Sequence, residues 1–300
     1  METRLMNFVT KSKFLTNVRG FTKKIGLNRL VCCIMDYCHS PSRNASHSHF
    51  KEIYEAHTSD INTVLDWLAD ERSKEVLRNV IGYKKTRDRK YLKGIIELKN
   101  QYFPHAADGS DIFDFNNETF VDCGAYTGDT IKALFKKAKT EVSAIVAFEP
   151  DKYNFDVLEK FAERKKELSI TLYNAGVYDK NGTVSFSGNA SVESGISDEG
   201  LQKIKVMAID GCPECFNATF IKMDVEGAEL AALHGARETI KKNKPKLAIC
   251  IYHNPEDLWT IPAFIRDINP NYKLYIRHHL YTFCETVLYA IDEFELTNLN

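Results

Sequence analysis

From residue 119 onward the chain alternates short apolar runs with longer stretches whose apolar residues return every three or four positions. The runs at 119–122, 144–148, 170–173, 218–223 and 246–251 are apolar almost throughout, which is the pattern of strands buried on both faces. Between them, 127–138, 151–166, 227–241 and 256–268 carry the helical period. This alternation predicts an α/β fold with a mostly parallel sheet and right-handed crossovers. Two last runs, 272–276 and 286–291, read as two further strands. Asn181-Gly182, between Val177-Tyr178 and Val184-Ser185-Phe186, is a hairpin signal.

Upstream the period is helical. Ser59-Asp60 precedes Ile61, Val64, Leu65 and Leu68 on one face, and a second stripe of Val76, Leu77, Val80 and Ile81 follows Ser73. A third helix is expected over 91–100. Residues 1–35 are basic, with Phe8, Phe14, Leu15, Val18, Phe21 and Ile25 at roughly helical spacing. Such a helix packs on the main domain or a partner chain, or lies peripherally on an anionic membrane. Polar residues 39–49 read as a linker. The expected division is therefore 1–50 as basic segment and linker, 51–115 as a helical region, and 116–300 as the ligand-binding domain.

The candidate chemistry sits at strand ends, where an open α/β sheet binds ligands. Val121-Asp122-Cys123-Gly124-Ala125-Tyr126-Thr127-Gly128-Asp129-Thr130 reads as strand, glycine loop and helix start. The glycines are spaced G-x-x-x-G, not G-x-G-x-x-G, which argues against a nicotinamide-dependent oxidoreductase. Asp122 near the loop suits a nucleoside that carries a positive charge and no pyrophosphate; S-adenosylmethionine (SAM) is such a ligand. Glu149-Pro150 ends the next strand, at about the distance where an acid binds ribose hydroxyls, although Glu149 would equally cap the following helix. Asn174-Ala175 after the third strand is the place for an adenine edge. Asp224, Glu226 and His253 end later strands. The acids would also suit a helix N-terminus, and His253 a hydrogen-bonded strand end.

Four segments, in order, resemble the FkbM family of SAM-dependent methyltransferases: Phe120 to Thr130; Ala147-Phe148-Glu149-Pro150; Phe220-Ile221-Lys222-Met223-Asp224-Val225-Glu226-Gly227-Ala228-Glu229; and Ile251-Tyr252-His253-Asn254-Pro255-Glu256-Asp257-Leu258. The resemblance implies a Rossmann-like class I methyltransferase sheet with an antiparallel C-terminal edge. It implies SAM as donor, O-methylation of a sugar, glycan or small metabolite, and a role for the helical region 51–115 as a cap on the acceptor side. A methyltransferase-like scaffold without catalysis is the non-enzyme alternative. Donor-binding candidates are Asp122, Gly124, Ala125, Tyr126, Gly128, Thr130, Glu149, Pro150, Asn174, Ala175, Asp224 and Glu226. Asp224 or His253 is the candidate base, and Glu229 is expected to be structural. Ser191, Ser194 and Gly195 match a serine-rich family segment within a polar loop at 187–200.

Bulk properties narrow the partners. A net charge of −1 gives no general pull toward nucleic acid. No apolar run approaches the ~18 residues of a membrane span, so the expected compartment is the cytoplasm. The eight cysteines are unevenly spaced and include one lone C-x-x-C, Cys212 to Cys215. Free thiols fit a reducing compartment, and no zinc site is expected. Asp224 and Glu226 alone make no complete ligand set, so no metal is predicted. The basic run 84–90 is expected to be a solvated face, with an anionic acceptor as the sharper alternative.

Overall fold

The computed structural model describes residues 43–106, 108–186 and 202–293. The basic segment 1–35 and the polar loop 187–200 lie outside the described residues. Three helices come first, α1 (Arg43–Ala56), α2 (Thr58–Trp67) and α3 (Glu71–Thr86). The core then runs β1 (Thr119–Cys123), α4 (Asp129–Lys137), β2 (Ala144–Phe148), α5 (Lys152–Ala162) and β3 (Ile170–Tyr173). Next come β4 (Gly176–Val177), β5 (Gly182–Phe186), β6 (Gln202–Met207), β7 (Phe220–Met223), α6 (Glu229–His234), α7 (Arg237–Asn243) and β8 (Lys246–Cys250). The described chain closes with α8 (Asp257–Ile268), β9 (Tyr272–His278) and β10 (Thr286–Asp292).

Seven strands form one sheet in the order β3-β2-β1-β7-β8-β10-β9. The first five are parallel, and β10 pairs antiparallel with both β8 and β9. This is the mostly parallel α/β sheet that the apolar runs predict, with the Rossmann-like form and antiparallel C-terminal edge that the resemblance implies. Alternate residues of each strand enter opposite faces. Val121, Phe148, Ile221 and Ile249 share one core cluster; Phe120, Ala147, Phe220 and Ala248 share the other.

Four local expectations change. The Asn181-Gly182 hairpin does not form, because β6 inserts between its arms: the order is β4-β6-β5. Asn181 Oδ1 instead accepts the Ala208 N–H at 2.9 Å. The expected helix at 91–100 is replaced by a short 3-10 turn, Arg89–Leu92. Gly94 then turns left-handed (φ +86°), and Glu97 donates its N–H to His278 O, so the segment runs beside β9. The expected helix at 227–241 breaks into α6 and α7 at Gly235, where a Cβ would stand 2.1 Å from Tyr178 O. Finally, the basic run is not wholly solvated. Lys84 is buried with its Nζ donating to Tyr252 O at 3.2 Å, and Arg87 lies over the Phe283 ring.

The helical layer shares its core with the sheet: Val64, Leu77 and Val80 cluster with Leu274 and Leu288. Asp70 caps α3 by accepting from Ser73 N, and its other oxygen pairs with the fully buried Arg277 of β9 at 2.7 Å. That pair docks the N-terminal end of α3 against the sheet edge. Cys123, Cys212, Cys215 and Cys250 are free and buried. Among the described residues no helix is long and apolar enough to cross a membrane.

Candidate active site

The glycine loop is shaped by three left-handed residues, Gly124, Tyr126 and Gly128. A Cβ on Gly124 would lie 2.0 Å from the Asp224 carbonyl oxygen. The glycine is therefore required where β1 and β7 converge, and not, as a ligand-cradling loop would suggest, chiefly for close approach to the donor. The loop's own N–H groups are committed inside the protein. Gly124 and Ala125 donate to Phe148 O, Gly128 to Ala125 O, and Tyr126 to Glu149 Oε2 at 2.7 Å.

Glu149 is 6% exposed at the end of β2. Burial pushes its carboxyl up to about 7, against the N–H groups of Asp151 and Tyr126 and, more weakly, the charge of Lys222. One N–H per oxygen leaves lone pairs on both. A buried acid in this state gains by meeting two further donors, which vicinal ribose hydroxyls would supply. The cap on α5 comes from Asp151, which accepts from Asn154 N, so Glu149 is not spent on capping that helix.

The expected charge contact from Asp122 does not fit. Asp122 is fully buried and paired with Lys222, itself 2% exposed, at 3.1 Å. Lys222 Nζ also donates to Gly124 O at 2.7 Å. This pair braces the loop from beneath and is not turned toward a ligand. Asn174 Nδ2 donates to the carbonyls of Glu149 and Pro150, so its side chain clamps the end of β2 while the residue stays exposed. Ala175 is buried. Thr130 is buried in α4 and lines a cavity of about 280 Å³ shared with Gln101, Tyr102 and Lys136. Of the expected donor residues only Thr130 lines it, so this cavity does not coincide with the expected donor site.

Asp224 and His253 do come together, at the ends of adjacent strands β7 and β8. Asp224 accepts from Tyr102 at 2.9 Å and from Tyr252 at 3.2 Å. Burial, and then the charge of Asp224, raise both phenols well above their ordinary range, so they stay protonated donors. Around the His253 ring, Glu229 Oε1 lies 2.9 Å from Nδ1, and Glu226 Oε2 and Asp224 Oδ1 lie 3.5 and 3.7 Å from Nε2. Burial pushes the imidazole down, but Glu229, Glu226 and Asp224 outweigh it and hold the ring well above its usual value. These neighbours favour the charged form of His253, which weighs against its role as general base and toward Asp224, the other candidate.

Three participants were not singled out from the sequence. Tyr102 comes from the segment before the sheet and carries no local signal. Lys222 and Tyr252 lie within the motif segments but look like strand residues. Glu229, expected to be only structural, is fully buried and faces His253 while accepting from Val225 N and Gly227 N. Those bonds are made because Glu226 and Gly227 are both left-handed (φ +57° and +100°), folding the chain back over the carboxylate.

The FkbM methyltransferase domain profile matches residues 122–282, more than half of the chain and all of the strand ends just described. The chain belongs to the FkbM methyltransferase family. SAM, the donor expected from the glycine loop, is the cofactor of that family. The FkbM methyltransferase structure from Methylobacillus flagellatus KT is 28% identical, with a TM-score of 0.68 over 80% of this chain. This chain spans 60% of the length of that protein. Two more distant folds are an rRNA methylase from Streptococcus thermophilus and Aeropyrum pernix fibrillarin solved with natively bound SAM. The first is 12% identical with TM-score 0.37, covering 59% of this chain and 88% of that one. The second is 10% identical with TM-score 0.34, covering 59% and 67%. No curated protein matches the chain. In this FkbM chain the residues fit the ribose part of SAM through Glu149; they do not fit a direct contact from Asp122 to the sulfonium.

Proposed function

We propose that this protein transfers a methyl group from SAM to a hydroxyl of a sugar, glycan or small metabolite. The observation that carries the reading is Asp224, held by two phenols at the mouth of the crevice, with the ribose acid Glu149 two strands away across the glycine loop. SAM supplies an electrophilic methyl when bound; the residues of the chain bind, align and manage a proton. Glu149 accepts from the ribose hydroxyls. Asp224, with both oxygens oriented, holds the acceptor hydroxyl in line and is the carboxylate placed to accept its proton. His253, drawn toward its charged form by Glu229, Glu226 and Asp224, offsets part of their charge. The basic side chains near 84–90 leave room for an anionic acceptor, but Lys84 itself is occupied with Tyr252.

The test has two parts. Calorimetry with S-adenosylhomocysteine should show one site per chain, and Glu149→Gln should weaken it tenfold or more. Methyl-labelled SAM incubated with sugar-nucleotide, glycan and small-metabolite pools should then label a hydroxyl, and Asp224→Asn should abolish the labelling. Failure of wild-type protein to bind S-adenosylhomocysteine would overturn the donor assignment. Label found on nitrogen, carbon or nucleic acid would overturn the acceptor class.

A further inference from the structure

Asp224, Glu229 and His253 each offer a ligand atom, and those atoms lie within 4.8 Å of one another. We propose that this cluster, with Glu226 at its rim, binds one divalent first-row transition cation of the Mn²⁺ to Zn²⁺ range. Three separate elements supply the donors: the end of β7, the start of α6 and the end of β8. Donors around such an ion sit on a sphere of about 2.1 Å radius and hence roughly 3–4 Å apart. The close approaches fall on the two ring nitrogens, Glu229 Oε1 2.9 Å from Nδ1 and Asp224 Oδ1 3.7 Å from Nε2, so the imidazole presents one nitrogen to the cation and the carboxylate on its other side swings round to join it.

Two further observations separate this cluster from a chance gathering of acids. Both His253 ring nitrogens are sealed from solvent and make no aligned hydrogen bond, even where a carboxylate is close. A buried imidazole without an aligned partner is unusual unless something else takes its lone pair. The carboxylates are also pre-oriented from outside. Glu229 is fixed by two backbone N–H groups and Asp224 by two phenols, which is how ligating acids are commonly held. Three carboxylates facing one imidazole leave the cluster negative even when the ring is charged. A mixed nitrogen and oxygen set favours a borderline cation over Ca²⁺, which takes oxygens. If the proposed methyl transfer holds, a cation here would meet the acceptor hydroxyl and ease loss of its proton, leaving Asp224 to act as ligand and not as base; that clause rests on the proposed function, while the binding site does not.

The experiment uses the full chain, stripped with chelator and titrated with Mn²⁺, with free Mn²⁺ read by electron paramagnetic resonance. One Mn²⁺ per chain should bind and be displaced by Zn²⁺. His253→Ala and Asp224→Asn should each weaken Mn²⁺ at least tenfold. In His253→Ala the affinity for 5′-methylthioadenosine should stay within twofold and the circular dichroism unchanged, which separates site loss from unfolding. Absence of saturable Mn²⁺ and Zn²⁺ binding to the folded wild type, or wild-type affinity in either variant, overturns the proposal. Cation binding without nucleoside binding would overturn the donor assignment alone.

Discussion

Glu149 offers a test in which pH stands in for mutation. Its carboxyl is buried and pushed up to about 7, from an ordinary 4.5. The ribose hydroxyls it is proposed to bind are donors, and they are best accepted by the ionised form. At pH 6 roughly a tenth of the chains would carry that form, at pH 8 roughly nine tenths, so apparent affinity should rise about tenfold across this interval. The suitable ligand is 5′-methylthioadenosine, which keeps the ribose and lacks the amino-acid groups that would titrate themselves. Calorimetry in two buffers of different ionisation enthalpy should also show a proton released on binding at pH 6 and none at pH 8. Glu149→Gln should bind weakly and equally at both. Stability should move the other way. The folded state holds its proton more tightly than the unfolded chain, so the protein without ligand is favoured below about pH 4.5 and loses about 3 kcal/mol from this group as pH rises through 7. A wild-type affinity for methylthioadenosine that is flat from pH 6 to 8 would refute the ribose role and the burial argument behind it.

Other substitutions probe how the site is held. Gly124→Ala meets the Asp224 carbonyl at 2.0 Å in a left-handed backbone, whereas Gly94→Ala is equally left-handed in open space. Urea unfolding should show a loss of about 3 kcal/mol or more for the first and about 1 kcal/mol for the second, and equal losses would show that the β1–β7 contact is dispensable. Lys222→Met strands the fully buried Asp122 and should cost about 3–5 kcal/mol; adding Asp122→Asn should recover much of it, and simple additivity of the two would argue against the pair. Arg277→Met removes the partner of Asp70 and should increase proteolysis within α1 to α3 before the sheet unfolds; cleavage that begins in the sheet would contradict the docking role.

The sheet was legible because its cause is local. Five apolar runs separated by helical periods can bury both faces only as a parallel sheet, and short-range periodicity records that arrangement directly. The strand-end acids were legible too, since Asp122, Glu149, Asp224 and His253 each follow an apolar run. Their partners could not be read in the same way. Asp122 meets Lys222 across 100 residues, Asp224 meets Tyr102 across 122, and Lys84 reaches Tyr252 across 168. No local pattern marks such a pair, and each changes what the acid or carbonyl can do. The hairpin expected at Asn181-Gly182 failed for the same reason: a turn signal is local, but β6 competes for the same strand edges through backbone pairing. His253 shows the division most sharply. Position alone made it one of two candidate bases, whereas the three carboxylates that the folded chain gathers around it raise its hold on a proton. Sequence determined which residues reach the crevice; tertiary packing decided their charge, because charge in a buried site depends on neighbours brought from distant parts of the chain.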